Sequence, residues 1–112
     1  MFDTSDDEFY EPSYCVMLTF RLDLADLDKV RQWEQMLSHD LEGQGLGEVE
    51  GDEFEPRQKE MSVFLRGADP EAIYSLVREA ALGFECISEV RAVVLPSSAE
   101  GDFALPFERR IK

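Results

Sequence analysis

Between Tyr14 and Leu22 the chain alternates strictly, with Val16, Leu18, Phe20 and Leu22 on one side and Cys15, Met17, Thr19 and Arg21 on the other. A period of two is the signature of a strand, here one with a strongly apolar face. Such a face must be covered by a second layer. The segment that follows offers one: after Asp23 or Asp26, either of which can cap a helix, Leu27, Val30, Trp33, Leu37 and Leu41 recur at spacings of three and four. Charges such as Asp28, Arg31 and Glu34 are expected on the other faces. The helix is expected from about residue 26 to about residue 42, with Gly43 as its stop.

The remaining segments repeat this exchange of periods. Gly43, Gly45, Gly47 and Gly51 lead through Glu48, Glu50, Asp52, Glu53 and Glu55 to Pro56, with Val49 and Phe54 as apolar contacts, and read as an acidic edge strand. Met61, Val63 and Leu65 alternate against Ser62, Phe64 and Arg66, which predicts a second strand forming a hairpin with the first. Gly67 turns the chain, Asp69 can cap, and Pro70 stands at the first helical position, where its missing N–H costs nothing. Ile73, Leu76, Val77, Ala80, Ala81 and Phe84 form the apolar stripe of that helix, with Gly83 as terminator. Val90 to Leu95, bounded by Pro96, predicts a last strand.

The order strand, helix, strand, strand, helix, strand predicts an α+β fold, the ferredoxin-like βαββαβ arrangement of two helices on one face of a four-stranded antiparallel sheet. Residues 14–96 form this domain. The open sheet face is expected to expose Met17, Thr19 and Phe64, a surface suited to binding or to a homodimer. Residues 1–13 carry Asp3, Asp6, Asp7, Glu8 and Glu11 without a basic residue and are expected to be a mobile acidic segment. Residues 97–112 form a tail in which Phe103, Leu105 and Phe107 precede Arg109, Arg110 and Lys112. It either folds back onto the acidic body or orders on a partner, with Phe103 and Phe107 as anchors.

Charge narrows the partners. The 112 residues hold 25 Asp and Glu against 11 Lys and Arg, a net charge of -14, which repels phosphate backbones and anionic lipid headgroups. Nucleic acid and membrane are therefore not expected as direct partners. Acidity keeps a small domain soluble, and it also complements a basic protein. There is no basic, apolar leader at the N-terminus and no apolar run of the ~20 residues a membrane span requires. Cys15 and Cys86 are the only cysteines and no Asn is present to accept a glycan, which fits a reducing, cytoplasmic compartment.

No catalytic or metal-binding set is legible. His39 is the only histidine, and Asp40 beside it points about 100° away on a helix. Cys15 opens the first strand while Cys86 precedes the fourth, so the expected topology separates them beyond disulfide reach and disfavours a shared metal. The acidic run lacks the spacing of a calcium loop. Gly43, Gly45 and Gly47 follow a helix instead of opening one, so they do not form a phosphate cradle. No cofactor is implied. Acylphosphatases of this fold depend on an asparagine absent here, copper chaperones carry a CxxC loop, and RNA-binding versions are basic.

Gly47, Glu48, Gly51, Asp52 and Glu53, followed by Phe64, Gly67, Asp69, Pro70 and Tyr74, resemble small bacterial proteins with a GExDGxE turn, a strand and a YGPDADxLF-like helix start. This chain departs at Glu50, where that pattern has aspartate, and at the helix start GADPEAIYSLV. The resemblance implies a fold and a bacterial origin, and no activity. In size and acidity the chain is also similar to the immunity proteins of toxin systems. The resulting expectation is a non-enzymatic acidic binding protein of inhibitor or immunity type, with Glu48, Glu50, Asp52, Glu53 and Glu55 facing a basic protein. The alternative is a dimeric regulatory or small-molecule-binding domain.

Overall fold

The computed structural model describes residues 14–96 and 107–112. Its elements are β1 (Tyr14–Arg21), a 3₁₀ turn (Leu24–Asp26), α1 (Leu27–Gly43), β2 (Glu48–Glu55), β3 (Glu60–Gly67), α2 (Pro70–Leu82), β4 (Ser88–Pro96) and β5 (Phe107–Arg110). The class is α+β, as the alternation of periods predicts, but the sheet has five strands in the order β2-β3-β1-β4-β5, all pairs antiparallel. The expected four-stranded sheet is extended by part of the tail, because residues 107–110 pair with Arg91–Val94. The chain end continues this docking. Ile111 N–H donates to the Val90 carbonyl at 2.7 Å, and Lys112 Nζ donates to the Phe84 carbonyl at 2.7 Å. Residues 1–13 and 97–106, including the expected anchor Phe103, lie outside the described residues.

The apolar side of β1 does what the alternation requires. Val16, Leu18 and Phe20 are wholly buried, together with Met61, Val63 and Leu65 of β3 and Val90 and Ala92 of β4. Both helices cover this face: Val30, Trp33, Leu37 and Leu41 of α1 and Ile73, Val77 and Ala81 of α2 belong to the same core. Trp33 ties the layers together, edge-on to Phe20 at 5.9 Å and stacked on Phe84 at 5.0 Å, geometries that favour aromatic pairs beyond their buried area. Cys15 and Cys86 are free thiols at opposite ends of the sheet, for Cys15 pairs with Arg66 and Leu95 while Arg21 pairs with Ser88.

The caps differ from expectation at one helix and agree at the other. Asp69 opens α2 and its Oδ1 accepts from Ala72 N–H at 3.1 Å. Neither Asp23 nor Asp26 makes a side-chain cap bond. Gly43 is the last residue of α1, and the left-handed residue is Gly45, at φ 69°. Gly45 N–H donates to the Glu42 carbonyl and Leu46 N–H to the Leu41 carbonyl at 2.9 Å, the paired bonds of a Schellman stop, with half-buried Leu46 against the core. Gly67 is needed for a different reason, since a Cβ there would stand 2.1 Å from the Leu46 carbonyl oxygen.

The two glycines at the end of α1 should therefore respond oppositely to alanine. Gly43 has no atom within 4 Å of an added Cβ and sits in helix, so Gly43→Ala should stabilise by about 0.5 kcal/mol. Gly45→Ala should destabilise by about 1 kcal/mol through its left-handed backbone. Urea denaturation of the two variants checks the pair of signs.

Candidate functional site

The acidic run forms β2, an edge strand eight residues long, as expected. Its carboxyls do not all point the same way. Glu48 faces Arg66 and Val49 faces Leu65, but Gly51 is the partner of Phe64, leaving Glu50 as an inserted residue. A bulge of one residue exchanges the two faces of every position beyond it. Asp52 and Phe54 consequently join Val49 on the helix side, while Glu53 and Glu55 fall on the face opposite the helices. The expected row of five carboxyls is thus divided: Glu48, Glu50, Glu53 and Glu55 are exposed and Asp52 is turned inward, half-buried.

Asp52 meets α1. Arg31 Nη1 donates to both its carboxyl oxygens, at 3.3 and 3.4 Å, and Glu34 hydrogen-bonds to the same group. Glu34 is not on an outer face of α1, as expected from its charge, but only 9% exposed. It lies four residues after Val30 and three before Leu37, within the apolar stripe, and that spacing is the signal that identifies it. Burial pushes its carboxyl up to about 7, reinforced by the hydrogen bond to Asp52 and by that group's charge, and opposed by Arg31. Arg31, Glu34, Ser38, Glu50 and Asp52 line an open cleft of about 310 Å³ between α1 and β2.

The other charges of this edge are held across strands. Glu50 pairs with Arg66 of β3, which raises the guanidinium further above its already high range. Beside them the thiol of Cys15 is pushed up by burial and by Glu50, with Arg66 opposing. A raised thiol is a poor nucleophile. His39 is exposed on α1. Among the described residues no group of three or more His, Cys, Asp and Glu side chains is arranged to hold a metal ion, and no helix is long and apolar enough to cross a membrane. The second expected anchor, Phe107, opens β5 opposite Val94 and is not part of the acidic edge.

At the other edge the basic tail residues also divide by face. Arg109 lies on the helix side, donating to both carboxyl oxygens of Glu71 at 3.1 Å and standing 4.9 Å over the Tyr74 ring. Arg110 is exposed on the opposite face, in register with Arg91. Arg91 itself is answered by Glu60 at 3.7 Å and Glu108 at 3.5 Å. The two edges of the sheet thus carry opposite charge.

No family model, no curated protein and no solved structure matches this chain.

The Glu34 carboxyl gives a stability signal of definite sign. It holds its proton more tightly folded than unfolded, so its contribution is complete below about 4.5 and is lost as pH rises through about 7. Glu34→Gln keeps a donor for Asp52 and removes the charge. Relative to the parent, its unfolding free energy should rise by about 1–3 kcal/mol between mildly acidic and mildly alkaline buffer. Urea titrations across that range check it, and a difference that does not change with pH would count against the raised, buried Glu34 carboxyl.

Proposed function

We propose that this is a ferredoxin-like domain, βαββαβ with a fifth strand added at β4, that acts as a non-catalytic acidic binding protein of inhibitor or immunity type in the cytoplasm. Its partner is a basic protein surface. The observation that supports this most directly is the β2 edge: Glu48, Glu53 and Glu55 stand exposed along the side of the sheet away from the helices. Glu50 and Asp52 have a different part. They hold the bulged strand to Arg66 and Arg31, so they shape the edge that the other three present.

Exposed rim charge of this kind acts mainly on the rate of encounter and on partner choice. Glu48→Lys and Glu55→Lys together should slow association with a basic partner about tenfold or more at low ionic strength, an effect that fades at about 0.5 M salt. The measurement is capture from extract of the native host at both salt concentrations, followed by surface-binding kinetics of the captured protein on parent and variant. Recovery of no basic protein at low salt, or kinetics indifferent to the two substitutions, would remove the support for this reading. Asp52→Lys is not an equivalent test, because it breaks the Arg31 contact and the strand with it.

A further inference from the structure

The face of the sheet opposite the helices can be read row by row from the strand register. One row runs Gly51, Phe64, Met17, Val93, Glu108 from β2 to β5, and the next runs Glu53, Ser62, Thr19, Arg91, Arg110. Phe64, Met17 and Val93 are each partly exposed, so an apolar strip crosses the middle of the face. Thr19 is not open, as expected, but 3% exposed. It is a short side chain on the central strand, bonded to Ser62 at 3.1 Å and set between longer neighbours. At the acidic flank Glu53 is exposed, and at the opposite flank Arg110 is exposed beside the already paired Arg91. Between β1, β4 and β5 lies a hollow of about 560 Å³ lined by Met17, Arg91, Val93, Glu108 and Arg110.

Position in the sheet gives these features a common logic. β1 is the third of five strands, so a two-fold axis parallel to β1 and above it carries β3 over β4 and β2 over β5 while leaving each row on itself. Phe64 of one copy then falls over Val93 of the other, above the hollow, and Met17 meets Met17. Glu53 falls over Arg110, twice by symmetry. We infer that this face is the interface of an isologous homodimer, two sheets packed face to face with Phe64 as the knob, the hollow beside Val93 as its socket and Glu53–Arg110 pairs at both flanks. Facing sheets lie about 10 Å apart, a gap that a glutamate and an arginine span together.

The area sets the strength. With strands about 4.8 Å apart, β1, β3 and β4 four rows deep and each flank limited to the two rows of β5 give roughly 500 Å² per protomer, the low end for specific interfaces. The dimer is therefore a dissociable one, populated at micromolar concentration. It uses the same face as the acidic-edge reading, with Glu53 in both and Glu48 and Glu55 at its border, but the two are tested separately, because Phe64 and Arg110 variants leave Glu48 and Glu55 in place.

Sedimentation velocity of the full chain, from low to high micromolar concentration near physiological salt, should show the mass rise to twice that of the monomer. Glu53→Arg alone and Arg110→Glu alone should each raise the dissociation constant about tenfold or more, and the double exchange should return it to within about threefold of the parent. Phe64→Ala should also shift the equilibrium to monomer. Glu53 and Arg110 are exposed, so neither exchange reaches the core, and circular dichroism of each variant verifies the fold. A chain that stays monomeric throughout, or a dimer that the double exchange fails to rescue, would overturn the inference.

Discussion

The structure depends on β1 being buried on one face and bordered on both sides. Val16, Leu18 and Phe20 have no exposed surface; all three pair with β3, and Val16 and Leu18 also pair with β4, under helices that contribute to one core. Burying apolar surface of this size is the main favourable term available to a domain of about a hundred residues. Once β1 is central, β2 and β5 are left as edges, and their residues determine what the molecule shows to others. The Phe20–Trp33–Phe84 contacts add direction: they fix α1 against β1 and against the segment entering β4, so α1 cannot slide along the sheet without separating the rings.

A single inserted residue controls the chemistry of the acidic edge. Without the bulge at Glu50, Asp52 would lie with Glu48 on the side away from the helices and its contact to Arg31 would be lost. With it, a carboxyl enters the space between helix and edge strand, where Glu34 already occupies a position in the apolar stripe. Burial and the neighbouring Asp52 charge favour the protonated form of Glu34, and the Arg31 contact to Asp52 makes the arrangement tolerable. The result ties the outermost strand of the sheet to α1 through polar groups, at a place where Val49 and Phe54 alone would cover little.

The elements were legible because their periods are strong. β1, the β2–β3 hairpin, both helices and β4 follow from alternation or from three-and-four spacing, and Asp69–Pro70 marks a helix start that the Ala72 N–H bond fulfils. β5 was not legible, since Phe107–Arg110 has four residues and no period; its place is decided by β4, which lies far away in sequence. The Gly45 stop was hidden by three glycines at alternate positions, any of which can adopt a left-handed conformation. At the candidate site, the acidic strand could be read and its facing could not, because a bulge is a property of pairing. Glu34 could have been found: a charged residue between Val30 and Leu37 on the buried stripe needs a partner, and Asp52 is that partner.

The separation of charge between the two edges would give the two proposed modes of association different responses to ionic strength. Two copies each carrying -14 repel one another at long range, whereas the proposed Glu53–Arg110 contacts would attract at short range. Screening at physiological salt acts over about 8 Å, which suppresses the long-range repulsion more than pairs drawn together across a closed interface. Self-association should therefore strengthen as salt rises from very low values and weaken only when the contact pairs are screened in turn. Attraction of a basic protein to Glu48 and Glu55 has no such opposing term, for the net charge and the local charge act together, and it declines steadily from the lowest salt. Under the two proposals the same acidic composition opposes one partner and favours the other, and the placement of a few residues, Glu53 and Arg110 above all, would decide between them on one small sheet.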